Sequence, residues 1–154
     1  MHEDVDRSQG RPAHRARTVP AIMGAAQAVT RRLEMSTREH GLDAAEALVL
    51  AALRLEPRCP AWLLRQRLGF HRSTLSSILD RLERDGHITR SRNSVDGRRF
   101  EIDLTRGGRI VADIAATIVN DVEAEIAGYT SHEEREAAIA VFESAMAITR
   151  FESA

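Results

Sequence analysis

The chain has 154 residues, 43% of them hydrophobic and 29% charged, with a formal net charge of −1. This is one domain's worth of ordinary globular protein, too apolar for a disordered chain and without the run of about 18 apolar residues that crosses a membrane. Its one cysteine excludes an internal disulfide, and the polar opening Met1-His2-Glu3-Asp4 has no secretory core, so a cytoplasmic location is expected.

The near-zero charge averages two opposed regions. Residues 58–109 carry 12 arginines against six acids, whereas residues 113–154 carry two arginines against nine acids. A basic middle and an acidic end suit a module that turns one face toward phosphates. All 22 basic residues are arginine, a compositional bias that carries no information about base reading by itself.

Residues 1–18 form a polar tail with Arg7, Arg11, Arg15 and Arg17, expected to be disordered; a basic arm that adds phosphate contacts is the second reading. Ile22, Ala26, Val29 and Leu33 then mark a helix ended by Gly41. Asp43 is a good N-cap for a second helix through Ala47, Leu48, Leu50, Ala51 and Leu53. Pro57 and Pro60 close the next loop, and Pro60 opens a short helix through Trp62, Leu63, Leu64 and Leu68, with Trp62 read as core.

The helix from Arg72 is the most informative segment. Leu75, Ile78, Leu79 and Leu82 fall at i, i+3, i+4 and i+7, the stripe of a helix buried on one side. At about 100° per residue, Ser73, Ser77, Asp80 and Arg84 point most directly away from that stripe, with Thr74, Ser76 and Arg81 on the flanks. Small hydroxyls let a helix backbone approach closely and donate to phosphates or base edges, and arginines reach phosphates or guanine. A solvated surface face is the plain alternative. Asp80 would be repelled by phosphates, so Arg84 or Arg81 is expected to hold it. Gly86 supplies the left-handed residue that ends the helix.

Beyond it, Ile88, Arg90 and Arg92 alternate with Thr89 and Ser91, and Phe100, Ile102 and Leu104 alternate with Arg99, Glu101 and Asp103. This is the period of two half-buried strands, with Asp96-Gly97 at the turn. Four cations, Arg90, Arg92, Arg98 and Arg99, sit on or near this short hairpin, a placement suited to a minor groove or a phosphate ridge. Asp96, two residues before Arg98, is spaced to pair with that guanidinium and aim it.

Ile110, Val111, Ile114, Ile118, Val122 and Ile126 then recur at helical spacing until Gly128, and Ser131 caps a last helix through Val141, Phe142, Ala145, Met146 and Ile148. These stripes, with that of the first helix, exceed what a small monomeric core covers and form the expected dimer interface.

The run Leu79-Asp80-Arg81-Leu82-Glu83, Gly86-His87-Ile88, Asp96-Gly97-Arg98-Arg99, Leu104-Thr105 and Gly108 resembles the signature of the MarR family of bacterial transcriptional regulators, over roughly residues 19–152. The resemblance implies a homodimer that binds pseudo-palindromic double-stranded operators, usually as a repressor, released by a small aromatic or phenolic effector or by oxidation. It also implies that Arg98 enters the minor groove and that an effector lies near the end of the first helix and the second helix, with residues such as His40. One departure is His71, a poor N-cap where such proteins carry a small hydroxyl or carboxamide.

The expected fold is therefore mainly α with a small β-hairpin wing. A disordered tail (1–18) precedes an N-terminal dimerisation helix (19–41), a winged helix-turn-helix (42–106) and C-terminal dimerisation helices (107–154). The candidate DNA-binding residues are Arg72, Ser73, Thr74, Ser76, Ser77, Arg81, Arg84, Arg92, Asp96, Arg98 and Arg99. No ligand-binding residues are assigned. No catalytic residue, cofactor or metal is expected: His40, His71, His87 and His132 lack zinc-ligand spacing, and no glycine-rich phosphate loop or nucleophile elbow is present. Cys59, beside Arg58, is either a thiolate activated by that arginine or a structural residue. The rival function is a winged-helix module that binds a protein partner with little affinity for DNA.

Overall fold

A computed structural model describes residues 17–92 and 100–148. Helix α1 spans Thr18–Thr37 and continues as a 3-10 turn over Arg38–His40, which Gly41 stops at φ 69°. Helix α2 (Ala44–Leu55) starts in a capping box: Asp43 accepts from the Glu46 backbone N–H at 2.7 Å, and Glu46 accepts from that of Asp43 at 3.0 Å. Such a cap stabilises a helix by about 1 kcal/mol.

Next come the two-residue strand β1 (Cys59–Pro60), helix α3 (Ala61–Leu68) and helix α4 (Arg72–Arg84). Strands β2 (Ile88–Arg92) and β3 (Phe100–Leu104) form the wing, followed by helices α5 (Arg106–Tyr129) and α6 (His132–Ala147). Ser131 caps α6 through a second capping box with Glu134.

The hairpin read from the sequence acquires a third strand. β1 pairs antiparallel with the free edge of β3, Cys59 opposite Ile102 and Pro60 opposite Glu101, giving the order β1-β3-β2. Two residues are too short to show a period, and Pro60, lacking an N–H, is tolerated only on an edge.

The main core gathers Leu50 and Leu53 of α2, Leu64 of α3, Leu75, Ile78, Leu79 and Leu82 of α4, Ile88, Ile102 and Leu104 of the wing, and Ala112 and Ala115 of α5. All four expected positions of α4 are buried. A smaller cluster joins Leu33 of α1, Ala44 of α2, and Ile118 and Val122 of α5. Two expectations shift. Trp62 is 49% exposed rather than core, and Ile110 stands on the outer face of α5, whose inner face runs through Ala112, Ala115, Ile118 and Val122. Alanines on that face let α5 lie close along α2, where a periodicity of large residues misplaces the stripe.

The motif Leu104-Thr105-x-x-Gly108 has a local reason. The Thr105 hydroxyl accepts from the Gly108 N–H at 2.8 Å, capping α5, and donates to the Gly86 carbonyl at 2.7 Å. The Thr105 N–H donates to the His87 carbonyl at 2.9 Å. A Cβ built on Gly108 would lie 1.7 Å from that same carbonyl oxygen, so only glycine lets α5 start there.

Candidate nucleic-acid interface

α4 ends in a Schellman turn, with Gly86 at φ 74° donating to Glu83 and His87 donating to Leu82. Both ends of the helix are thus set: Gly69, at φ 67°, closes α3 and turns the chain, and His71 opens α4 with no side-chain cap. Arg72, Ser73, Thr74, Ser76, Ser77 and Arg84 are all exposed on the face opposite the core. Ser77 donates to the Ser73 carbonyl at 3.1 Å, which leaves its oxygen free to accept. Thr74, Ser77, Asp80, Arg81 and Arg84 of α4 line an open groove shared with Asp43 and Ala45 at the start of α2.

Two arginines of the basic region are paired with carboxylates. Arg81 donates to Asp43 at 2.5 Å and its Nε lies 3.2 Å from the buried Glu46, so it ties α4 to the α2 cap instead of standing free. The Asp43 hydrogen bond, then the charges of Asp43 and Glu46, raise its pKa above the ordinary guanidinium value. Arg90 donates to Asp80 at 2.5 Å and its Nε lies 3.2 Å from Glu83. The expectation that Arg84 or Arg81 holds Asp80 is therefore corrected. Arg90 stands opposite Ile102 on the inward face of the wing, in register with Ile88, and only from there can it reach the outer side of α4.

Arg92, at the far end of β2, is exposed and lies over the ring of its cross-strand neighbour Phe100, 5.9 Å from the centroid. Phe100 is itself half exposed, so this pair extends the wing outward. Asp96, Arg98 and Arg99 lie outside the described residues.

Sequence reasoning missed Asp43, Glu46 and Glu83 as partners of the basic region. The Asp43-x-x-Glu46 spacing signalled the cap but not its arginine. The strand alternation did place Arg90 on the face of Ile88, a signal that it is not a free wing cation.

Elsewhere, an open cleft of about 740 Å³ lies between the end of α1 and the middle of α5, lined by Met35, Ser36, Arg38, Glu39, His40, Ile114, Thr117, Ile118 and Asp121. His40 lines it, and α5 rather than α2 forms the opposite wall. Cys59 is buried, and burial, followed by the charge of Glu56, pushes its thiol above the ordinary value. Arg67, not Arg58, is the cation that opposes this shift, and it does not prevail. The thiol is therefore protonated at neutral pH, the structural reading of this residue. Among the described residues no cluster of His, Cys, Asp or Glu could hold a metal ion, and no helix is long and apolar enough to cross a membrane.

A sequence model of the MarR family matches residues 40–99, from the end of α1 to the wing. Solved structures of this fold match over most of the chain as well. Over its winged region this chain matches the MarR family.

Among its relatives, the transcriptional regulator TtmR of Methylorubrum extorquens is 35% identical over 89 residues, 58% of this chain and 46% of that protein. The chain spans 46–64% of the length of the curated regulators it matches. The structure of the transcriptional regulator SlyA matches at a TM-score of 0.79 and 16% identity, covering 90% of this chain and all of that one. A DNA complex of MepR from S. aureus matches at 0.74 and 18%, covering 88% and 99%. At these identities the structures establish the shared MarR-family fold, wing and terminal helices included.

Proposed function

We propose that this protein is a sequence-specific transcriptional regulator of the MarR family that binds a pseudo-palindromic operator as a homodimer, represses from it, and is released by a small aromatic or phenolic effector. The observation that carries the reading is the outer face of α4, where Arg72, Ser73, Thr74, Ser76, Ser77 and Arg84 are exposed together on a helix whose other side is fully buried. Hydroxyls and guanidinium groups at that spacing match base edges and phosphates of a major groove. Arg92 on the wing, with Arg98 and Arg99 beyond it, supplies the flanking backbone contacts, and Asp96 aims Arg98.

The apolar residues left open on α1 and α6, Val19, Met23, Val141 and Phe142 among them, support dimerisation. The cleft beside His40 supports an effector site, because Arg38 and His40 offer cationic partners to an acidic aromatic molecule next to apolar Met35, Ile114 and Ile118. Two recognition helices related by a two-fold axis read half-sites about one helical turn, roughly 34 Å, apart.

The test is selection of bound fragments from genomic DNA, followed by footprinting of the enriched site at several salt concentrations with and without aromatic acids. Two protected half-sites, steep loss of affinity with salt, and release by an aromatic acid are expected. Weak, salt-insensitive binding to every fragment would instead identify a module for a protein partner.

A further inference from the structure

Taken as a list of charges, the DNA-facing side of α4 is not basic. Asp80 and Glu83 lie on the helix itself, at 55% and 45% side-chain exposure, and Asp43 and Glu46 flank it at the start of α2. Asp43 and Asp80 line the groove, Glu83 is exposed on the same helix, and Glu46 is buried behind Asp43, so unpaired carboxylates here would repel phosphates. Each has an arginine. Arg81 spans Asp43 and Glu46, and Arg90 spans Asp80 and Glu83 from the inward face of β2.

The two arginines are not equivalent. Arg81 completes the cap of α2 beside a buried glutamate, a role in holding the fold. Arg90 holds two exposed carboxylates that no cap or core requires. Its side chain is only 25% exposed, crosses from the wing to the helix, and ends with both of its ion pairs on α4. An arginine placed to touch phosphate would keep its guanidinium outward, as Arg92 and Arg84 do.

Resting on the DNA-binding reading above, we propose that Arg90 is a positioning and charge-masking residue. It neutralises Asp80 and Glu83 on the outer side of α4 and fixes the wing against that helix, and it contacts no phosphate itself. The hydroxyl face of α4 can then meet DNA without two free carboxylates beside it. Because the same side chain joins helix and wing, the masking holds only while the wing keeps its place.

The experiment is a salt series of fluorescence anisotropy titrations of the full chain with a labelled 30-base-pair duplex of mixed sequence. It compares Arg90→Met, Asp80→Asn with Glu83→Gln, and all three changes together, with circular dichroism melts alongside. Masking predicts that Arg90→Met binds about tenfold more weakly, that the triple variant returns to within about threefold of the unaltered chain, and that its slope of log affinity against log salt is unchanged. The double variant, free of both carboxylates, binds more tightly than the unaltered chain.

If Arg90 contacted phosphate, the triple variant would stay weak and lose about one unit of salt slope. If the ion pairs were only a brace, the double variant would bind more weakly than the unaltered chain. Either result overturns the proposal, and the double variant separates masking from a brace even if Arg90→Met fails to fold. A chain that binds no duplex at low salt while its melt is intact would overturn the DNA-binding reading instead.

Discussion

The stretch from Leu42 to Leu104 buries side chains from three helices and the wing sheet against the start of α5, while α6 has no buried residue and the first half of α1 none either. Both regions carry apolar residues at helical spacing. What separates them is geometry: α4 lies across a sheet and two other helices, whereas α6 has few neighbours within its own chain and keeps Phe142 at 40% and Ile148 at 73% exposure. The difference teaches that an apolar stripe records that burial is needed, not whether the same chain supplies the cover.

Five substitutions test that contrast, the largest effect first. Gly108→Ala pushes a Cβ into the His87 carbonyl where α5 joins the winged region, and should cost about 4 kcal/mol and lower the melting temperature by roughly 10 °C. A melt within 2 °C of the unaltered chain, on the scale of about 0.5 kcal/mol, would show that α5 can start elsewhere.

Leu82→Ala and Phe142→Asp then compare the regions directly. Leu82, fully buried, should cost about 3 kcal/mol in denaturant unfolding without altering assembly. On the dimer proposed above, Phe142→Asp should instead give a monomer in sedimentation at micromolar concentration, with the helical circular dichroism retained. If Phe142→Asp leaves the dimer intact, the open stripe of α6 is not its interface.

A smaller effect comes from Thr105→Val, which keeps the side chain's size but removes the acceptor for Gly108 and the donor to Gly86. A loss of about 1.5 kcal/mol is expected. The smallest belongs to the α1–α5 contact outside the core, where Arg32 hydrogen-bonds Glu125 and thereby lowers that carboxyl's pKa. A lowered folded pKa stabilises above the unfolded value, about 4.3, and the benefit disappears as pH falls through the folded one. Glu125→Gln should therefore lower the melting temperature slightly at pH 7, and by progressively less as the pH falls below about 4.3. A difference that persists in acid would assign the contact to packing rather than charge.

Much of the fold was legible because its signals are local. The stripe of α4, the caps at Asp43 and Ser131 and the stop at Gly86 each lie within one turn of the element they define. The site was legible only in part, for a physical reason. Whether an arginine meets DNA depends on whether a carboxylate captures it first. For Arg81 that carboxylate is Asp43, 38 residues away. For Arg90 it is Asp80, across a turn and a change of secondary structure. The same limit hid β1, whose two residues become a strand only because β3 offers a free edge. Trp62 misled for a different reason: on a helix of eight residues, too few turns exist to tell the inner face from the outer.

The closure at Thr105 has a consequence for how such a wing can change. Gly86 and His87 are held to a residue 18 or 19 positions later by one hydroxyl and one backbone N–H, so the hairpin leaves and rejoins the body at a single stapled point. Beyond that point, lengthening the tip costs only the slowly growing entropy of a longer loop, about 0.6 kcal/mol for each doubling. The base can therefore stay fixed while insertions between Arg92 and Phe100 alter reach and charge. Threonine and glycine at the neck let a longer loop be inserted between the strands without disturbing α4.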